Sequence, residues 1–455
     1  MSIRPYLKFV FIFFLSELIG LPLAAQSKFL QDIRYDSLLN LAKQHNKPMF
    51  LVVHQRDELF SPFTTPLSQK AKDILNEQFV SGIIQLDHDD IHHPLHKTYS
   101  LSTPIYLFTD RDGFPLLRHN QPIKQEEALI SLIDSVHEIT KGENMGKLIA
   151  QYRKGVRSRS LLTNLLKEYQ AFGQYSDQQV LHDYLAQLTV QELNNFETVI
   201  FLLRSGPVYN SKTYLLARTN SKMVDSLYTT LPLPVRMEIN NRIIRQTFRE
   251  ALEKQNYSLA QEIGHFASQA WQKNYLRGDI GRNFYPMEYK RLLRDTSVYI
   301  SMAQNHYNNY FYRVDPDSIA RLDFAQDRGI NIRRYAQVLD SAQNVLFQQW
   351  IEKGRERYKE DQARHLSYGA RQLLVFGRNN PDALFDAIRW QQKAIVQNPD
   401  QGQYHHTLAQ LLYCVGFYAE AEVEQQRAIT LFKSNKVRHR QMRDALKQMQ
   451  ARLWR

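Results

Sequence analysis

The chain has 455 residues, 43% of them hydrophobic and 23% charged, with a formal net charge of +12. Length and balance are those of an ordinary globular protein and predict two or more domains with ample core. Cys414 is the only cysteine, which excludes an internal disulfide and any paired-thiol chemistry. The basic excess is read as a solvated surface: no nucleic-acid module is recognisable, and nucleic acid is not an expected partner.

The N-terminus has the charged, apolar, small-residue order of a secretory signal peptide. Arg4 and Lys8 precede an apolar run from Phe9 to Leu15, and Pro22-Leu-Ala-Ala-Gln26 follows. Residues 1–26 are expected to be removed, with cleavage near Ala25 or Gln26 and a periplasmic or otherwise extracytoplasmic mature protein. An uncleaved membrane anchor is the alternative, made less comfortable by Glu17 inside the run. No cysteine lies near the cleavage point, so no lipid anchor is expected.

Residues 35–45 space their apolar side chains as an amphipathic helix. Residues 47–54 read as a buried strand, and a polar loop follows. A helix is predicted from Pro66, with Thr65 as its N-cap. A second buried run covers residues 79–86, a third segment spans 99–108, and 109–114 form a tight turn. A final helix covers 126–137, and the two glycines between 140 and 146 mark the predicted domain boundary.

This order, strand, loop, helix, strand and then Thr103-Pro104, resembles the thioredoxin family over about residues 28–140, in particular bacterial envelope proteins that join such a domain to a long helical region. The resemblance implies an α/β thioredoxin-like domain over 27–141, with Pro104 at the family's cis-proline position. Phe60-Ser61-Pro62-Phe63-Thr64 is the best match to the dithiol motif, with Ser61 and Thr64 where sulfurs would stand; the register stays open by one or two residues because of Pro66. Thiol–disulfide exchange needs a thiolate that attacks sulfur and forms a mixed disulfide. A serine hydroxyl cannot do this, so the domain is read as redox-inactive. In active relatives the groove beside the cis-proline holds an extended peptide, and peptide binding at Thr103 and Pro104 is the expectation that remains.

From residue 147 helical periodicity takes over, and antiparallel helix pairs with short connections are expected over 147–365. Breaks are predicted around Gly278 and Gly281. The tyrosines from 285 to 312 (Tyr285, Tyr289, Tyr299, Tyr307, Tyr310 and Tyr312) are read as half-buried packing, with a functional aromatic groove as the alternative. Farther on, Ala387, Ala394 and Pro399 are followed by Leu408, Ala409, Leu412, Gly416, Tyr418, Ala421 and Ala428. Thirty-four residues separate Ala387 from Ala421 and Ala394 from Ala428. These positions resemble the tetratricopeptide repeat over about 366–435, one good copy and one degenerate. That resemblance implies stacked helical hairpins with a concave face for a peptide or protein. Residues 436–455 are predicted to form a basic amphipathic helix packing through Leu446, Met449 and Leu453; this helix and an uncleaved N-terminus are the only segments expected to touch a membrane.

Asp87, His92, His93 and His96 are dense enough in ligand atoms to suggest zinc or copper. Their spacing matches no metal signature, and a polar surface connection is the preferred reading. His405-His406 is read as packing or capping. No phosphate loop, His-Glu-x-x-His or nucleophile elbow occurs. The expected function is therefore non-catalytic binding or scaffolding in the cell envelope, without a cofactor. The alternatives are a thiol–disulfide oxidoreductase or isomerase-like chaperone, and a metal-handling protein.

Overall fold

The structure is a computed structural model that describes residue 30 and residues 33–55, 67–87, 90–100, 104–271, 274–328 and 341–454. The signal-like segment, the loop positions 60–64 and Thr103 lie outside the described residues. The chain divides after Gln187 into two compact units.

The first unit holds a four-stranded mixed sheet. Strand β1 (Met49–Gln55) pairs in parallel with β2 (Val80–Leu86) and antiparallel with β3 (Ile105–Thr109), which pairs antiparallel with β4 (Pro115–His119). The spatial order is β2-β1-β3-β4. Strand β1 is central and apolar without interruption from Met49 to Val53, as a strand covered on both faces must be. Met49, Leu51 and Val53 pack with Leu38 and Ala42 of α1 (Tyr35–His45). The alternate residues Phe50 and Val52 pack on the other face with Leu75 of α2 (Gln69–Gln78). Two further helices follow in chain order, α3 (Pro94–Thr98) and α4 (Glu126–Lys141). Leu95 of α3 joins the first face, and Leu129, Ile133 and Val136 of α4 join the second.

Helix α2 starts later than the sequence suggests. Its N-cap is Ser68, whose Oγ accepts from Ala71 N at 3.2 Å. The same hydroxyl donates to Glu126 Oε1 at 2.7 Å, and Ser68 N donates to Glu126 Oε2 at 2.9 Å. Ser68 can thus cap α2 and tie it to the start of α4, two tasks for one residue.

The chain leaves α4 at Gly142, within the predicted boundary, but the first compact unit continues through α5 (Met145–Arg153), α6 (Arg159–Ala171) and α7 (Gln178–Leu185). Three hydrogen bonds tie these helices back to the earlier part of the unit. Tyr175 N donates to Thr98 O at 2.9 Å and Ser100 N to Gly173 O at 2.8 Å, so the connection between α6 and α7 pairs with the segment leading to Pro104. Arg118 on β4 donates to Phe172 O at 2.5 Å.

The second unit is helical throughout its described residues. It runs through α8 (Phe196–Arg204), α9 (Lys212–Ala217), α10 (Ser221–Thr230), α11 (Leu233–Glu253), α12 (Tyr257–Ala270), α13 (Tyr275–Leu292) and α14 (Thr296–Tyr307). A π-helical turn at Asn308–Tyr312 leads to α15 (Pro316–Arg328). Then come α16 (Ser341–Phe376), α17 (Pro381–Gln397), α18 (Gly402–Cys414), α19 (Tyr418–Leu431) and α20 (Lys436–Gln450). No helix among the described residues is long and apolar enough to cross a membrane.

Gly278 and Gly281 do not break the chain. They sit inside α13, where they let α12 approach: a Cβ at Gly278 would stand 3.1 Å from Ser268 Oγ, and one at Gly281 would stand 3.4 Å from Ala267 Cβ. Gly264 on α12 is tighter still, its hypothetical Cβ 2.5 Å from Arg282 O. In the C-terminal region Ala387, Ala394, Ala409, Ala421 and Ala428 are fully buried, and Leu408 and Leu412 nearly so. Gly416 turns the chain between α18 and α19 with φ +88°. Pro399 lies exposed one residue past the C-cap of α17, where a proline cannot extend the helix. Tyr418 is 40% exposed, its ring against Tyr413 and under the Arg452 guanidinium. Helix α20 buries Met442, Ala445 and Met449, with Leu446 partly covered, whereas Leu453 is exposed because the helix has ended and Arg452 has turned to φ +58°.

Replacing Gly264 by Ala tests the α12–α13 spacing. Helix propensity would gain about 1 kcal/mol, but a Cβ against a backbone carbonyl cannot be relieved by a rotamer change. A net loss of about 1–3 kcal/mol is expected, read as a lower thermal midpoint. Gly278→Ala, facing a movable serine hydroxyl as well as its carbonyl, should lose less. A neutral Gly264→Ala would show that this contact does not set the spacing.

Candidate functional site

A large concavity lies wholly within the second unit. It is a cavity of about 790 Å³ with walls from α11, α12, α13, α14, the π turn, α15 and α16. Its volume and its apolar walls with a few polar groups are those of a ligand site.

The α11 wall follows from helical spacing: Leu233, Met237, Asn240 and Ile244 recur three or four residues apart on one face and all line the cavity. Arg236 lies beside them. Its Nη1 donates to Tyr228 O at 2.8 Å, while its Nε is buried without a hydrogen-bond partner among the described residues. No carboxylate lies within ion-pair reach of Arg236 among those residues.

Arg277 on α13 is held differently. It donates to Tyr358 Oη at 2.7 Å, lies 3.5 Å from Asp323 Oδ2, and sits over the Trp271 and Tyr358 rings at 5.1 and 5.4 Å. Asn274 caps α13 through its Oδ1 and donates from Nδ2 to Asp323 Oδ1 at 2.9 Å.

The innermost wall is aromatic and is built on the end of α14. His306, Tyr307, Tyr310 and Phe311 line it together with His365 of α16. The His365 ring stacks on Phe311 at 4.6 Å, and its Nδ1 contacts Asp361 O at 2.7 Å. Single-turn π segments recur at functional sites because the wide turn re-aims side chains. This one is fixed from outside. Gln362 Nε2 donates to Phe311 O and, at 2.8 Å, to Val314 O. Lys393 Nζ reaches Tyr312 O and Val314 O, and Trp390 Nε1 donates to Asn308 Oδ1 at 2.8 Å. The fully buried Trp390 also packs on Tyr307, with centroids 5.1 Å apart.

His306 is 3% exposed and its Nδ1 has no hydrogen-bond partner among the described residues. Burial, with a smaller push from nearby His365, brings its pKa down to about 4. The ring is therefore neutral at ordinary pH.

The predicted site residues are distributed as follows. Of the tyrosines, 285, 307 and 310 line the cavity, while Tyr289 and Tyr299 are buried in packing. Pro104 stands half-buried at the head of β3, just past the segment paired with residues 173–175. The histidine-rich segment is spent on local structure. His93 caps α3, its Nδ1 accepting from Leu95 N at 3.2 Å, and His96 Nε2 contacts Asp87 O at 3.1 Å. His92 is exposed. Among the described residues no three His, Cys, Asp or Glu side chains are placed to hold a metal ion. His405 and His406 are buried, contacting Glu424 Oε2 at 2.6 Å and Gln425 Oε1 at 2.7 Å across to α19. Arg236, Arg277, Trp271, Asp323 and His306 were not foreseen. The only sequence signal was the tyrosine density between 285 and 312.

His306 carries a pH dependence whose sign is fixed. Its folded pKa lies below the unfolded value of about 6.5, so its contribution is complete above pH 6.5 and is lost as pH falls toward 4, when the unfolded chain takes a proton that the folded one refuses. The loss should reach about 2–3 kcal/mol near pH 4. Thermal unfolding of wild type and His306→Phe at pH 7 and pH 4.5 checks this: the variant should lose less stability. Equal losses would mean that the ring is hydrated in the folded protein.

Compared with known proteins, the chain matches no family model and no curated protein sequence.

Proposed function

We propose that the chain is a non-catalytic binding or scaffolding protein of the bacterial cell envelope, in which a redox-inactive thioredoxin-like domain is joined to a helical array with tetratricopeptide-like repeats. The observation that carries the binding role is the cavity of about 790 Å³ in the helical unit, apolar and aromatic inside and open to solvent. The thioredoxin-like reading is supported by a strand, a helix, a parallel strand and then Pro104 ahead of an antiparallel strand. The repeat reading is supported by burial in phase: Ala387 and Ala421, and Ala394 and Ala428, are each fully buried at a separation of 34 residues. Export rests on the order of charged, apolar and small residues in the first 26 positions. The partner is a protein or peptide; no nucleic acid, cofactor or metal is part of the proposal.

Two measurements test it. With one cysteine in the chain, the purified protein should not accelerate insulin reduction by dithiothreitol; catalytic turnover would restore the oxidoreductase reading. Photo-crosslinking of the full chain in envelope extract should join a partner to residues of the second unit. Crosslinks confined to the neighbourhood of Pro104 would move the site to the first unit.

A further inference from the structure

The walls and mouth of the cavity carry information about what fills it. Leu233, Met237, Trp271 and Leu322 stand around it with 58, 51, 44 and 52% exposure. A small molecule confined to the interior would leave these side chains in water. A polypeptide entering the cavity and continuing across its mouth would cover them. Tryptophan, methionine, tyrosine and arginine together are also the residue types enriched where proteins bind one another.

Charge narrows the choice further. Four lining side chains bear full charges: Arg236, Arg277, Asp323 and Asp361. Asp323 is engaged by Asn274 and Arg277. Asp361 is ion-paired with Arg364. Arg277 has Asp323 and Tyr358. Only Arg236 lacks an opposite charge among the described residues, and it is half-buried, with one nitrogen on a backbone carbonyl. Partial burial of an unmatched guanidinium costs free energy that a carboxylate placed against its planar fork would offset.

We propose that the cavity receives an acidic, apolar peptide segment of the partner: a bulky apolar side chain enters the chamber walled by Phe284, Tyr307, Tyr310 and Phe311, an Asp or Glu carboxylate pairs with Arg236, and the flanking chain lies over Met237, Trp271 and Leu322. The proposal rests on the reading of the helical unit as a receptor and specifies which surface and which chemistry do the recognising.

The test uses the full chain and a phage-displayed library of random twelve-residue peptides. Selected peptides should combine Asp or Glu with Phe, Leu, Met or Trp. A synthetic copy of the best should bind Arg236→Gln at least tenfold more weakly. Converting the peptide's acid to its amide should weaken wild-type binding equally and have no further effect on Arg236→Gln. The double variant Met237→Ser/Leu322→Ser, altering exposed side chains only, should weaken binding at least fivefold with an unchanged thermal midpoint. Selection of basic or uncharged peptides, additive losses in the charge cycle, or no selection would overturn the proposal. So would stoichiometric binding of dodecanoate, a small amphipathic anion, where peptides fail. If an envelope partner crosslinked to wild type is retained by Arg236→Gln and by the rim variant, the binding role stands and this site falls. If the full chain crosslinks to no partner and selects no peptide, both fall.

Discussion

A helix that ends must give its last carbonyls to donors outside itself. After Tyr307 the second unit does this at a π turn, and the donors are side chains from two other helices, Gln362 of α16 and Lys393 of α17. Lys393 is placed there at a cost, since burial lowers its pKa and Asp315 only partly opposes this. The inner wall of the cavity stands on this turn. Without those donors the carbonyls would seek water, the turn would tighten or fray, and Tyr310 and Phe311 would lose their direction. The shape of the site thus depends on a few hydrogen bonds, some of them made by residues that do not line it, Lys393 and Trp390.

The sheet was legible because its determinants are local. Strand β1 is a run of apolar residues between polar ends, and Asp110 with Gly113 makes a turn that sequence alone identifies: Asp110 Oδ1 accepts from Asp112 N and Phe114 N, both at 2.9 Å. The caps of α5, α6 and α7, Asn144, Ser158 and Asp177, are of the kind that accept from backbone N–H groups in the first turn. Glycine was the ambiguous letter. In a loop it permits a turn, and inside α12 and α13 it permits contact between helices; nothing in the flanking residues separates the two uses.

The cavity was illegible for a different reason. Its walls join Arg236 to His365 across more than a hundred residues, and no spacing rule connects side chains that distant in the chain. The pairing of charges was equally hidden. Arg236 and Arg277 look alike in the sequence, yet one faces Asp323 and the other faces no acid among the described residues. Recognition chemistry here arises from a mismatch that only the fold creates.

The pairing of residues 98–100 with 173–175 bears on how the protein is made. A chain leaving the ribosome exposes the segment ahead of Pro104 long before Gly173 and Tyr175 emerge. During that interval the backbone groups of Thr98 and Ser100 that later bond to them have only water as a partner. The sheet can assemble early, but this segment, which lies outside its four strands, stays unpaired until some seventy more residues have been synthesised. A segment with unpaired backbone groups can bond to another molecule, as an open strand edge does. The nascent protein is thus most open to wrong pairing there between completion of the sheet and emergence of Tyr175, a window in which a chaperone shielding that segment would have its greatest effect.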